Sequence, residues 1–250
     1  MIFVEKLVED IVVWLREKVT EAKVNGLIVG LSGGLDSAVV AHLIKRAYPE
    51  DSLAVIMPIY SNPVDIDHAY QVVESSGIRH TRVDLTKSHE LMMETIKSAT
   101  PAGEWQENNA QIADANLRAR LRMGTLYTMA TNYHYLVVGT DNAAEWLTGY
   151  FTKYGDGGVD IQPIIDLTKR EVQELAEYLG VPNEIIHKKP SADLWTGQTD
   201  EDEMGTSYDM IDDYLDGIEI PETDKAIIEA MQKRTEHKRH MPPQYRFKNK

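Results

Sequence analysis

Apolar residues between Val4 and Val19 fall at Leu7, Ile11, Val12, Trp14, Leu15 and Val19, the spacing of one helix face. The next apolar run, Leu27-Ile28-Val29-Gly30-Leu31, is short and continuous, as a buried strand reads. Helical spacing returns from Leu35 to Ala47. Leu53 to Ile59 then reads as a second strand, Pro63 to Ser75 as a helix, and Arg79 to Leu85 as a third strand. Thr86 to Ala99 and Asn108 to Thr131 are helical, and Tyr135 to Gly139 is a fourth strand. Thr168 to Leu179 has full helix punctuation: Thr168 at the N-cap, Glu171 three residues on, and Gly180 just past the end. Strand and helix alternate with long crossovers, which predicts an α/β fold with a doubly wound parallel sheet. Ligands of such sheets sit at the carboxyl ends of the strands. No internal repeat or low-complexity linker interrupts the order, so residues 1–250 are expected to form one domain.

The segment Asn108–Thr131 departs from simple amphipathicity. Its apolar residues cover most of the helix circumference, and Arg118, Arg120 and Arg122 are interleaved with them. A helix of that kind is buried widely, either inside the domain or against a second copy of the chain. A homodimer with a ligand-facing edge is one expectation from this pattern.

Charge changes the picture next. The chain has 40 Asp and Glu against 26 Lys and Arg, a net charge of −14, which argues against a general nucleic-acid binder. Twelve acidic residues and no Lys or Arg lie between Asp193 and Asp224, whereas Met231 to Lys250 has seven Lys and Arg and one Glu. The acidic stretch reads as mobile surface, with a lid assigned to Lys189–Asp216. No apolar run approaches the ~18 residues of a membrane helix, and the charged start is unlike a signal peptide, so a cytoplasmic enzyme is expected. The absence of cysteine excludes disulfides, thiolate metal sites and a cysteine nucleophile.

The sharpest chemical motif is Gly30-Leu31-Ser32-Gly33-Gly34-Leu35-Asp36-Ser37, placed after a strand and at the opening of a helix. Glycines allow a tight turn and close approach of an anion, while helix-terminal amides and the two serine hydroxyls point at phosphate oxygens. Neither the Gly-Lys-Ser/Thr ending of a P-loop nor the Gly-x-Gly-x-x-Gly of dinucleotide folds is present. Asp36 would repel phosphate unless a cation lies between them, which predicts Mg²⁺. Glu145, in Gly139-Thr140-Asp141-Asn142-x-x-Glu145, is a second carboxylate able to share that ion, and Thr140 is placed to hydrogen-bond a nucleotide. In Gly149-Tyr-Phe-Thr-Lys153-Tyr-Gly155-Asp156-Gly157-Gly158-Val-Asp160-Ile-Gln-Pro163, glycines thin the backbone, and Lys153 and Asp160 can hold opposite ends of a polar ligand.

The first of these motifs resembles the pyrophosphate loop of the N-type ATP pyrophosphatases. The later segments, in this order, resemble the NAD synthetase family over essentially the whole chain. The resemblance implies an adenine nucleotide alpha hydrolase-like fold. It also implies ATP-dependent amidation of deamido-NAD to NAD through an adenylated carboxylate, with release of AMP and pyrophosphate. By motif position, Gly30 to Ser37, Thr140, Lys169 and Ser191 become ATP contacts. Arg120, Lys153, Asp160, His237 and Lys238 become contacts to deamido-NAD, with Arg118 or Arg122 as alternatives to Arg120. Asp36 and Glu145 become Mg²⁺ ligands, and Asp156 is the candidate base for ammonium.

The common glutaminases use a cysteine nucleophile, and neither that residue nor a glutaminase domain is expected here. The nitrogen source is therefore read as free ammonia, or ammonia from a separate glutaminase. Two other readings compete: another ATP pyrophosphatase such as the synthetase part of GMP synthetase, and a nucleotide-binding module without turnover.

Overall fold

The computed structural model describes residues 2–189 and 199–246. Among them, four strands form one parallel sheet in the order β3-β2-β1-β4: β1 (Gly26–Gly30), β2 (Ser52–Ile56), β3 (Arg79–Arg82) and β4 (Tyr135–Val138). Side chains alternate along each strand, and the two faces bury different sets. Leu27, Val29, Ala54, Ile56 and Val138 pack against α1 (Ile2–Ala22), α2 (Leu35–Ala47), α3 (Pro63–Ser76) and, further on, α7 (Lys169–Leu179). On the other face Ile28, Leu53, Val55, Tyr135 and Val137 pack against Leu126 and Ala130 of α5 (Ala110–Tyr133). Helices thus cover both faces, as the alternation predicts.

Connection order sets where a ligand can enter. From β1 the chain runs through α2 to β2 on one side, then through α3, β3, α4 (Thr86–Ala99) and α5 to β4 on the other side of β1. The carboxyl ends of β1 and β4 therefore diverge into separate loops and leave a crevice between them. β2 stops at Ile56, three residues before the hydrophobic run ends, because Pro58 has no N–H for the ladder and Tyr60 turns with φ +52°.

Beyond β4 the chain builds a second helical layer. It comprises α6 (Ala143–Thr148), α9 (Asp200–Met204), α10 (Tyr208–Leu215) and α11 (Glu222–Thr235), while the short α8 (Asn183–Ile186) follows α7 and packs its Ile185 and Ile186 into the main core. Ala144, Met204, Tyr208, Ile211, Ile220, Ile228 and Met231 make the core of the second layer. Here the structure corrects the reading of the acid-rich stretch as mobile surface. Its described part is helical and packed, and Asp200 and Asp212 are buried. Composition misleads because the apolar residues recur at helical spacing between the acids. Ser191 and part of the Lys189–Asp216 segment lie outside the described residues.

Of the two expectations for the long helix α5, wide burial inside the domain is not what one chain shows: only Ala115, Leu126 and Ala130 are buried, and Ile112 is 64% exposed. No helix among the described residues is long and apolar enough to cross a membrane.

Candidate active site

The loop between β1 and α2 turns through Gly33, whose φ is +83°. A Cβ there would lie 2.1 Å from the Asp65 carbonyl oxygen, so both the turn and the packing require glycine. Ser32 Oγ accepts from the Gly34 amide at 3.2 Å and lies 3.0 Å from Ser37 Oγ. Ser37 Oγ in turn donates to the Gly34 carbonyl at 3.0 Å. The hydroxyls thereby fix the loop. Gly34 occupies the N-cap of α2 and brings no side-chain cap, which leaves the first-turn amides of α2 for a ligand. This terminus opens into a cavity of about 840 Å³ at the crevice between β1 and β4. Gly30, Ser32, Gly34, Asp36 and Ser37 line it, with Thr140, Asp156 and Lys169 across from them.

Asp36 and Glu145 come from different helices and meet at one ammonium. Asn142 caps α6: its side chain accepts the Glu145 amide at 3.0 Å, while Glu145 Oε2 accepts the Asn142 amide at 3.2 Å. This capping box spends one Glu145 oxygen on the helix and turns the other, Oε1, inward. Asn142 also donates to Asp36 Oδ1 at 3.0 Å, which ties the starts of α2 and α6 together. Lys169, at the start of α7, is 2.6 Å from Asp36 Oδ2 and 3.8 Å from Glu145 Oε1. Its own helix is held by Asp212, which accepts from the Lys169 and Arg170 amides at 3.1 and 3.0 Å.

The electrostatics follow from burial. Burial, then repulsion from Asp36, pushes Glu145 up to about 8. For Lys169 burial works downward, but Asp36 and Glu145 outweigh it and hold the ammonium above the usual lysine range. Asp141, fully enclosed, is pushed well up by burial and by the neighbouring carboxylates of Asp156, Glu145 and Asp36. Desolvation by the cavity walls also raises Asp156, whose carboxylate is exposed to the cavity and accepts the Thr152 amide at 3.0 Å. Tyr208 lies 3.2 Å from both Glu145 Oε1 and Asp200 Oδ2, and burial keeps its phenol protonated.

The residues expected to hold the second substrate are placed unevenly. His237 and Lys238 reach the cavity wall. Lys238 donates to the Gly149 carbonyl at 2.7 Å and also to that of Phe151, so it braces the glycine loop as well. Lys153 bonds to the His237 carbonyl. Asp160 is engaged in the fold: its carboxylate accepts Val137 N–H at 2.8 Å and the Tyr127 hydroxyl at 3.0 Å, beside the parallel bridge Val138–Ile161. Arg120 is exposed and reaches the Lys153 carbonyl at 3.4 Å. Within one chain it is Arg122, the alternative to Arg120, that lines the cavity, and it donates to the Met57 carbonyl at 3.0 Å. The reason is helical phase, since two residues along α5 rotate a side chain by about 200°. Asn142, Tyr208 and Asp200 escaped sequence reasoning. Only Asn142 had a local signal, the cap-and-Glu pattern at Asn142 and Glu145.

This geometry is that of an anion-binding loop with a carboxylate pair and lysine at its mouth. The family model described as NAD synthase matches residues 7–242. The chain belongs to the NAD synthase family. The NH(3)-dependent NAD(+) synthetase of Alkaliphilus metalliredigens (strain QYMF) is 58% identical over 237 residues, covering 94% of this chain and 96% of that protein. The enzyme of the same name from Methanocaldococcus jannaschii is 43% identical, over 96% of each. Among solved structures, the NMN synthetase of Francisella tularensis superposes with a TM-score of 0.91 at 38% identity, over 98% of this chain and 99% of that one. The NH3-dependent NAD synthetase of Campylobacter jejuni gives 0.78 at 29%, over 97% and 99%. These relatives leave the GMP synthetase alternative unsupported for this member of the family.

Proposed function

We propose that this chain amidates deamido-NAD to NAD with ammonia at the expense of ATP, which is split to AMP and pyrophosphate. The observation that carries the reading is the uncapped start of α2, opening with its serine-braced loop onto a cavity that also holds Asp36, Lys169 and Asp156.

A carboxylate resists amidation because its leaving group would be an oxide. In the first step a nicotinate oxygen attacks the α-phosphorus of ATP, the bond to the β-phosphate breaks, and pyrophosphate leaves with the electron pair. Loop amides and Lys169 are aimed at the charge that builds there. In the second step ammonia attacks the acyl carbon and AMP departs. Ammonium has no lone pair, so a proton must go to a base first. Asp156 fits: its carboxylate is exposed to the cavity, whose walls desolvate it and raise its affinity for a proton.

Asp36 and Glu145 fit a magnesium ion: both are hard oxygen donors, and Lys169 offsets their repulsion only in part, since burial and Asp36 still hold Glu145 above its usual range. Bound there with phosphate oxygens, it would neutralise the triphosphate.

A second reading rests on the NMN synthetase neighbour: nicotinate mononucleotide presents the same carboxylate to the same loop. The exposed α4–α5 face, with Leu91, Met92, Ile96 and Ile112, supports a homodimer, in which Arg120 would lie at the edge of the interface. Purified protein with ATP, Mg²⁺ and ammonium should release AMP and pyrophosphate with deamido-NAD, and faster than with nicotinate mononucleotide. It should sediment at twice the chain mass. Release of ADP and phosphate, or turnover with glutamine as good as with ammonium, would contradict the proposal, and a monomer the dimer.

A further inference from the structure

Lys188 takes no part in the steps above, yet it lines the same cavity as the phosphate loop. Its ammonium is paired with the carboxylate of Asp65 in the first turn of α3, and the two side chains are 26% and 11% exposed. Asp65 also supplies the carbonyl oxygen that presses on Gly33. Helix α3 therefore abuts the turn of the loop directly. The loop is thus flanked by two lysines at its two ends, each held by a carboxylate. Lys169 stands at Asp36, where α2 begins, and Lys188 stands beside the turn at Gly33.

The two pairs differ in what their carboxylates do. Asp36 is itself in the loop and is shared with Asn142. Asp65 lines the cavity beside Lys188, outside the Asp36–Glu145–Lys169 group. An ammonium has three donors, and a single carboxylate on one side leaves others for a second acceptor. A polyphosphate on the loop brings more negative charge than Asp65 and competes for the same cation.

The geometry points to Lys188 as a binding residue for the two phosphates that ATP sheds, its ammonium resting on Asp65 until the phosphates compete for it. This rests on the reading that the loop holds ATP. Lys188 belongs to the pyrophosphate half of the nucleotide and makes no demand on AMP.

Calorimetric binding of ATP, inorganic pyrophosphate and AMP to the full chain tests it. Lys188→Met should weaken ATP and pyrophosphate by roughly 10- to 100-fold, the range for losing a charge-assisted contact, and leave AMP unchanged. Lys188→Arg should keep both within a few-fold, which guards against a folding defect in the methionine variant. Asp65→Asn should weaken neither, because it removes the competing charge and keeps the size. Equal losses for AMP and pyrophosphate, no loss in Lys188→Met, or a loss in Asp65→Asn matching that of Lys188→Met would overturn the inference and make the pair a structural strut. Wild-type protein that binds neither ATP nor pyrophosphate would overturn the ATP reading itself, and this inference with it.

Discussion

Asp156 differs from the other cavity carboxylates in its surroundings. Asp36 and Glu145 share Lys169, whereas Asp156 accepts a backbone amide from Thr152 and lies in the electrostatic reach of Lys238 and Arg122. Its proton affinity is raised by desolvation from the cavity walls, so it suits proton removal from ammonium rather than nucleotide binding. Asp156→Asn keeps the acceptor for Thr152 and loses the base. It should leave pyrophosphate release from ATP and deamido-NAD within a few-fold in a single turnover without ammonium. NAD formation with ammonium should fall about 10²- to 10⁴-fold, the range for losing a general base. Equal loss of both steps would move Asp156 into adenylation. At this scale the sequence was most legible where chemistry is local. The run from Gly30 to Ser37 could be read because strand, glycine turn and helix start are contiguous. Tyr208 and Asp200 could not, since Tyr208 meets Glu145 across 63 residues of chain and holds Asp200 with the same hydroxyl, through a fold that local pattern does not encode. Arg120 and Arg122 were indistinguishable because the helix phase depends on which face of α5 meets the sheet.

Helix α2 joins the phosphate loop to the core, and its packing on α3 is where pH acts on it. His42 is buried, with Nε2 3.1 Å from the Ser75 hydroxyl of α3. Burial, then Arg46, lowers it from 6.5 to about 4. In the unfolded chain the imidazole gains a proton as pH falls through 6.5; in the folded chain it does not until about 4. Its contribution is thus fully present above 6.5 and is lost as pH falls from 6.5 toward 4. About 1.4 kcal/mol per pH unit makes this a loss of about 3 kcal/mol. Urea unfolding of His42→Gln across that window should give a stability curve flatter by about that amount. Parallel curves for the two proteins would place the acid sensitivity elsewhere. Elements were legible where both ends are punctuated: the N-cap at Thr168 and the left-handed Gly180 are present as read. The shorter helices α6, α8 and α9 lack enough turns to show a period, and the acid content between Asp193 and Asp224 hid the apolar stripe of α10.

The whole molecule is acidic, at −14, whereas the lining of its cavity brings Lys and Arg in nearly equal number to Asp and Glu. Lys169, Lys188, Arg122 and Lys238 reach it from four separate elements. The basic end of the chain serves this arrangement mechanically. Arg239 donates to the carbonyls of Trp146 and Leu147 at 3.0 and 3.1 Å, closing the end of α6, while Lys238 holds the start of the glycine loop. The tail was legible as basic, and the resemblance tied it to a substrate. Its role as a brace was not legible, because backbone carbonyls leave no trace in sequence. Leu91, Met92 and Ile96 on α4 and Ile112 on α5 are exposed in one chain, and the proposed second copy rests on them. The central claim concerns the loop between β1 and α2. A crystal structure of the protein with ATP, magnesium and deamido-NAD tests it most directly. The β- and γ-phosphates should lie on the amides at the start of α2, with the nicotinate carboxylate facing the α-phosphorus. A triphosphate bound away from Ser32–Ser37 would contradict the account.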